Sequence, residues 1–218
     1  AAGGRTPLGV ARPAALDLAE RLKNLPGVAR VEIAGSLRRW CETIGDIDLL
    51  VQAAEGEAVL KAFTEFPRVR EVIGAGETKA SVRIEGGLQV DVRVVPKASF
   101  GAAWQYFTGS KAHNVRLREL AVRKKWRLNE YGLFAGETPL AGEDEEGIYR
   151  ALGLPWVPPE LREDRGEIEH ADALPKLIEL KDIRGDLHMH TTATDGRLSI
   201  DEMVEACLRR GYQYLCIT

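Results

Sequence analysis

"GSLRRWCETIGDIDLLV", residues 35–51, sets Asp46 and Asp48 into a run of Ile47, Leu49, Leu50 and Val51 that otherwise reads as a buried strand. Strand side chains alternate between faces, so residues two apart point the same way. Two carboxylates on one face repel each other and resist desolvation unless something positive sits between them. The stretch alone allows two readings: acids at a solvated strand end, or ligands of a cation. The Gly35-Ser36 turn adds to it, because such a turn offers N–H groups and a hydroxyl to an anion. Arg39 would then neutralise phosphate oxygens. Gly-Ser alone is an ordinary turn, but joined to Arg38, Arg39 and Asp-x-Asp within 14 residues it is a specific pattern.

Working outward, "RPAALDLAERLKNLPG" predicts an amphipathic helix with Leu18, Leu22 and Leu25 on one face, stopped by Pro26-Gly27. "VARVEIAG" predicts a strand running into Gly35, "IDLLV" a second strand, and "AVLKAFTEF" a short helix closed by Pro67. "SVRIEGGLQVDVRVVP" predicts a hairpin turning at Gly86-Gly87, with Val90, Val92 and Val94 on one face and Asp91 and Arg93 on the other. If that strand pairs beside the Asp46–Asp48 strand, three carboxylates share one sheet face. Such hard oxygen ligands suit Mg²⁺ or Mn²⁺. Two such ions clamp the attacking and leaving oxygens of a phosphoryl displacement.

From Ser99 the pattern turns helical, in "SFGAAWQYF" and "KAHNVRLRELAVRKKW", separated by Thr108-Gly109-Ser110. Val115, Leu120 and Val122 offer the second helix a partial apolar stripe. "EEGIYRALGL" predicts a further helix. "PWVPPELREDRGEIEHADALP", rich in proline and charge, reads as a linker. "RGDLHMHTTATDG" then opens a new strand and loop, followed by a helix ending at Gly211 and the strand "YQYLCIT". One helix and two strands bury too little for a core, so the chain is expected to stop inside a domain.

The 218 residues suit two domains, and no apolar run is long enough to span a membrane. "AAGGRTPLGV" lacks both an initiator Met and the apolar core of a signal peptide, so a trimmed start is expected. Cys41, Cys207 and Cys216 form no even framework, and free thiols in a reducing cytoplasm are expected. The net charge of −3 hides a strong asymmetry. Residues 99–135 carry seven Lys and Arg against two Asp and Glu, whereas residues 136–218 carry nine against 18. A basic segment on an acidic protein is a surface for phosphates.

These motifs together resemble the nucleotidyltransferase signature of the family X DNA polymerases, the group of DNA polymerase beta. The likeness continues through "VDVRVVPKASFGAAWQYFTGSKAHNVRLRELAVRKKWRLNEYGLF" and covers roughly residues 8–160. It implies an α+β fold: a nucleotidyltransferase palm, with a mixed sheet and flanking helices, over residues 1–98, then a small α/β nucleotide-binding subdomain over 99–160. The implied metal triad is Asp46, Asp48 and Asp91, holding two Mg²⁺ or Mn²⁺ ions. Gly35, Ser36 and Arg39 would meet the triphosphate with Gly45 beside the metals, and Tyr106, Phe107, Gly109 and Asn114 would form the sugar-and-base pocket. Arg118 would lie near the template, and Arg123, Lys124 and Lys125 would add DNA contacts. The implied activity is repair-type, gap-filling DNA synthesis by a monomer acting on primer–template or gapped DNA and a dNTP. Lys111 stands where vertebrate members carry an acid, and the likeness does not extend to the family's small N-terminal DNA-end-binding domain.

A linker over 161–183 would precede residues 184–218, where "DLHMHTTATDG" resembles the first motif of the polymerase and histidinol phosphatase (PHP) domain. Bacterial members carry that phosphoesterase, often a 3′–5′ exonuclease on a distorted barrel, at the C-terminus. The likeness implies His188, His190 and Asp195 as ligands of Zn²⁺ or Mn²⁺ in an incomplete site, with Thr194 in place of the usual Ser. Two rival readings stand beside the polymerase. A template-independent nucleotidyltransferase acting on RNA ends or a small molecule would share Gly-Ser and Asp-x-Asp, but not "YFTGS", "LNEYG" or the basic segment. A non-catalytic DNA-binding module would have no use for three intact aspartates.

Overall fold

The alternation that puts Ile47, Leu49 and Val51 on one side of a strand and Asp46, Asp48 and Leu50 on the other organises the larger part of the molecule. In the computed structural model, which describes residues 4–218, these residues lie on an interior strand of a five-stranded sheet. The chain enters through β1 (Thr6–Pro7) and α1 (Leu8–Lys23), then β2 (Val28–Ile33), the short α2 (Gly35–Arg38), β3 (Thr43–Ile44) and β4 (Asp46–Ala53). It continues through α3 (Gly56–Thr64), β5 (Val69–Ala75), β6 (Lys79–Ile84) and β7 (Gln89–Val94). The strand order is β2-β4-β7-β6-β5, with β4 and β7 parallel and the other pairs antiparallel.

Leu18 and Leu22 of α1 and Phe63 of α3 pack with Ile47, Leu49, Val51, Val82, Val90 and Val92 into the first core. The hairpin expected at Gly86-Gly87 is present, both glycines having positive φ. β5 was not legible in the sequence. It is an edge strand whose residues are mostly exposed, so no face of it alternates with a core.

The opposite face of the sheet carries Leu50, which packs with Ala34, Val95, Phe100 and Ala103. The last two lie on α4 (Phe100–Thr108), which leads to α5 (Lys111–Arg123), β8 (Arg127–Asn129), β9 (Gly132–Ala135), β10 (Thr138–Ala141) and α6 (Glu145–Leu152). These strands form a small antiparallel sheet, and the second core gathers Leu117, Ala121, Leu128, Leu133, Ile148, Tyr149 and Leu152. The stripe expected on α5 is corrected. Its buried face is His113, Asn114, Leu117 and Ala121, whereas Val115 and Val122 are exposed.

The linker expected over 161–183 is also corrected, because the segment packs as far as Leu174. Val157 and Ile168 join the second core, and Arg162 is fully buried. Partners distant in sequence absorb the polar groups that suggested a linker. Arg162 meets Glu145, and Glu167 accepts hydrogen bonds from the N–H groups of Asp164 and Arg165 and pairs with His113 at 2.7 Å.

The compact unit containing all of this ends at Leu174, and a second runs from Pro175 to Thr218. Taken by itself, the second unit pairs β11 (Gly185–Met189) in parallel with β12 (Tyr214–Ile217), joined through α7 (Ile200–Arg209). A capping box between Ser199 and Glu202 starts α7. No described helix is long and apolar enough to cross a membrane.

Candidate active site

Gly35 turns the chain between β2 and α2 with φ at +63°, conformational space that only glycine enters freely. That turn sets Ser36 and Arg39 beside the start of β4. The C-terminal end of α4 and the start of α5 face them. Between lies a cleft of about 610 Å³, lined by Gly35, Ser36, Arg39, Gly45, Asp46 and Asp48 on one side and by Tyr106, Phe107, Thr108, Gly109, Lys111, Asn114 and Arg118 on the other, with Arg5. The cleft thus brings together every candidate for triphosphate, sugar and base contact.

The carboxylates are arranged unequally. Asp46 and Asp48 line the cleft, while Asp91 is the register partner of Asp48 on β7. Partial burial and the negative charges of Asp46 and Asp91 push the Asp48 carboxyl up to about 7. Asp91 is occupied within the protein: Gln89 Nε2 donates to its Oδ1 at 2.9 Å, and Lys79 Nζ sits 2.5 Å from its Oδ2. Burial would raise the Asp91 carboxyl, but the hydrogen bonds from Lys79, Gln89 and Ser81 outweigh it and hold it below the ordinary range. Among the described residues, no three or more His, Cys, Asp or Glu side chains gather as a metal-ligating group. At the sheet, Asp91 faces the Lys79 ammonium and the Gln89 amide.

Arg39 is also engaged: its Nε pairs with Glu163 at 2.7 Å, and its Nη1 donates to the Thr108 carbonyl at 2.5 Å. Asn114 is fixed from both ends, its Nδ2 donating to the Tyr106 carbonyl and its Oδ1 accepting from Gln105 Nε2, each at 2.7 Å. The Tyr106 and Phe107 rings meet edge to face, 5.1 Å between centroids, and the Arg93 guanidinium lies 4.2 Å from the Phe107 centroid. Of the basic residues, Arg118 reaches the cleft, whereas Arg123, Lys124 and Lys125 are exposed at the end of α5. Arg116 is paired with Glu119, Asp164 and Glu169.

Two features escaped the sequence. Arg5 reaches the cleft because β1 pairs with β3 and its Nε donates to Thr43 Oγ1 at 2.7 Å; nothing local to "AAGGRTPLGV" marks it. The second is a buried ion network. Glu145 receives two hydrogen bonds from Arg38 (2.7 and 2.8 Å), two from Arg162 (2.7 and 3.1 Å) and one from Trp156 (3.0 Å). Burial works against the charge, but the two guanidinium groups outweigh it and hold the Glu145 carboxyl at about 2. Arg38 also lies 3.4 Å from the Trp104 ring centroid, so the helix carrying Ser36 is tied to α4 through Trp104 and to α6 through Glu145.

In the unit from Pro175 onward, the His188 and His190 Nε2 atoms are 3.2 Å apart, and His190 Nδ1 meets Asp195 Oδ1 at 2.7 Å. His188 Nδ1 lies 2.9 Å from Thr218 Oγ1. All three candidate ligands are exposed and adjacent, bonded to one another in a row.

The family description "DNA polymerase beta thumb" matches residues 103–163. The chain is 40% identical to the DNA polymerase/3′-5′ exonuclease PolX of Bacillus subtilis over 98% of its own length and 38% of that protein's, so it spans well under half of that relative. It is 31% identical to the Repair DNA polymerase X of African swine fever virus, matching 59% of this chain and 78% of the viral protein. Its fold is that of Leishmania infantum polymerase beta in a ternary gap complex, with a TM-score of 0.64 at 22% identity over 73% of this chain and 71% of that one. With 78% of the viral repair polymerase matched and the same α+β fold, the chain belongs to the family X DNA polymerases.

Proposed function

We propose that the cleft is the site of template-directed DNA synthesis of the repair, gap-filling kind, transferring dNMP from a dNTP to a primer 3′-OH. One observation carries the reading: a single cleft joins Asp46 and Asp48 to Ser36, Arg39, Tyr106, Phe107 and Asn114. In the reaction the primer oxygen bonds to the α-phosphorus, the bond to the β-phosphate oxygen breaks, pyrophosphate leaves and the hydroxyl proton is lost.

The residues fit divalent cations. Asp46, Asp48 and Asp91 are hard oxygen donors, and of the burial and carboxylate repulsion that lift the Asp48 carboxyl, a cation between them relieves the repulsion. When bound there, Mg²⁺ or Mn²⁺ supplies charge stabilisation at the attacking and leaving oxygens. The protein's own part is positioning. Ser36 offers its hydroxyl to the triphosphate. Arg39 would exchange Glu163 for phosphate oxygens, trading one anionic partner for another at little net cost in charge. Asn114, pinned by Gln105 and the Tyr106 carbonyl, holds the wall against which sugar and base would lie.

For the second unit we infer a phosphoesterase role in the whole protein, supported by the His188–His190–Asp195 row and by the exonuclease in the name of the Bacillus subtilis relative. The discriminating experiment is primer extension by the 218-residue chain on templated, gapped and untemplated DNA. Extension that follows the template base supports the polymerase. Addition indifferent to template points to the template-independent nucleotidyltransferase.

A further inference from the structure

The third carboxylate already has a cation. Lys79, on β6, places its Nζ 2.5 Å from Asp91 Oδ2, while Gln89 takes Oδ1. The register explains the contact. Ser81 is paired with Asp91 across the β6–β7 ladder and Lys79 with Arg93, so Lys79 lies on the same face as Ser81, diagonal to Asp91. The two ends of the pair differ in freedom. The Asp91 side chain is 8% exposed on an interior strand, whereas that of Lys79 is 37% exposed on a flexible stem. An ammonium is a compact point charge that can swing away without disturbing the sheet.

We propose that Lys79 is a resident counter-ion that competes with divalent metal for Asp91. Its ammonium fills the place of a cation at one of three crowded carboxylates and must leave before Asp91 can ligate. It is thus a positioning residue that sets how much metal the site demands. This rests on reading Asp46, Asp48 and Asp91 as the metal site. Direct competition and Coulomb repulsion between ammonium and metal act in the same direction. Removing Lys79 should therefore tighten metal binding.

The test measures Mn²⁺ binding to the 218-residue chain by water-proton relaxation, with neither nucleotide nor DNA present. Wild type, Lys79→Gln, Lys79→Arg and Asp48→Asn are compared, with thermal melts to confirm folding. The expected result is Mn²⁺ binding that Asp48→Asn abolishes and Lys79→Gln tightens by about 5-fold or more, a modest fraction of the attraction between adjacent unit charges. Lys79→Arg, which keeps the charge, should stay near wild type. In an Asp91→Asn background only the Coulomb repulsion remains, so Lys79→Gln should tighten Mn²⁺ binding clearly less than it does with Asp91 present. Asp48-dependent binding that Lys79→Gln leaves unchanged or weakens overturns the inference and leaves the metal-site reading standing. No Asp48-dependent binding in wild type overturns both.

Discussion

Gly35 and Asp48 leave no room for a side chain between them: a Cβ on Gly35 would overlap Asp48 Oδ2. The turn that presents Ser36 is thus built against the carboxylate it serves. Gly35→Ala places an L residue at a φ of +63°, which costs about 1–2 kcal/mol, and also pushes Asp48 aside. Displacement of a reacting group by about 1 Å costs roughly 100-fold in rate. The expected outcome is a modest loss of stability in denaturant titration with at least about a 100-fold loss of primer extension. An Ala variant that extends primers normally would show that the turn is incidental.

The Glu145 network makes an acid-sensitive prediction. The folded carboxyl is held at about 2, below its ordinary value of 4.5, so its contribution is present above 4.5 and is lost as pH falls towards 2. That window is worth about 3 kcal/mol. Glu145→Gln should flatten stability across it. At neutral pH the same variant should lose about 3–5 kcal/mol, because it strands the buried Arg162. Urea melts of both proteins at several pH values from 2 to 7 check this; superimposable acid profiles would contradict it.

Lys124 and Lys125 close α5 on the exposed side, with Lys124 Nζ 5.1 Å from the Trp126 ring centroid. If they meet DNA phosphates, affinity for gapped DNA depends on salt through counterion release. Replacing both with Ala should lower the slope of log affinity against log salt by about one unit for each phosphate that is no longer neutralised. An unchanged slope would mean that these lysines are a solvated helix end.

Apart from its edge strand β5, the sheet was legible because its periods are local. Asp46, Asp48 and Leu50 alternate with Ile47, Leu49 and Val51 within one strand, and the glycine hairpin places Asp91 on the same face. Ser36 and Arg39 were legible as a phosphate-binding turn, whereas the cleft positions of Tyr106 and Asn114 were reached through resemblance. What stayed hidden depends on partners far apart in the chain. Glu145 is 107 residues from Arg38, and Glu167 is 54 from His113, so neither pattern can be read from a window of sequence. Those pairings turned an expected linker into part of a core. The hold of Lys79 on Asp91 was hidden similarly, since it depends on the register of two strands across a turn.

By the proposed function, Asp91 would hold, beside Asp46 and Asp48, the cation that activates the primer hydroxyl. Asp91→Asn is nearly isosteric and leaves both cleft carboxylates in place, so the fold and dNTP binding should persist. Single-turnover primer extension by the Asn variant, with dNTP affinity measured alongside, is the most direct test. The account predicts near-normal dNTP binding and a rate lower by at least about 100-fold, the scale of losing electrostatic help at a reacting oxygen. Near-wild-type extension would contradict it, reducing Asp91 to the structural partner of Lys79.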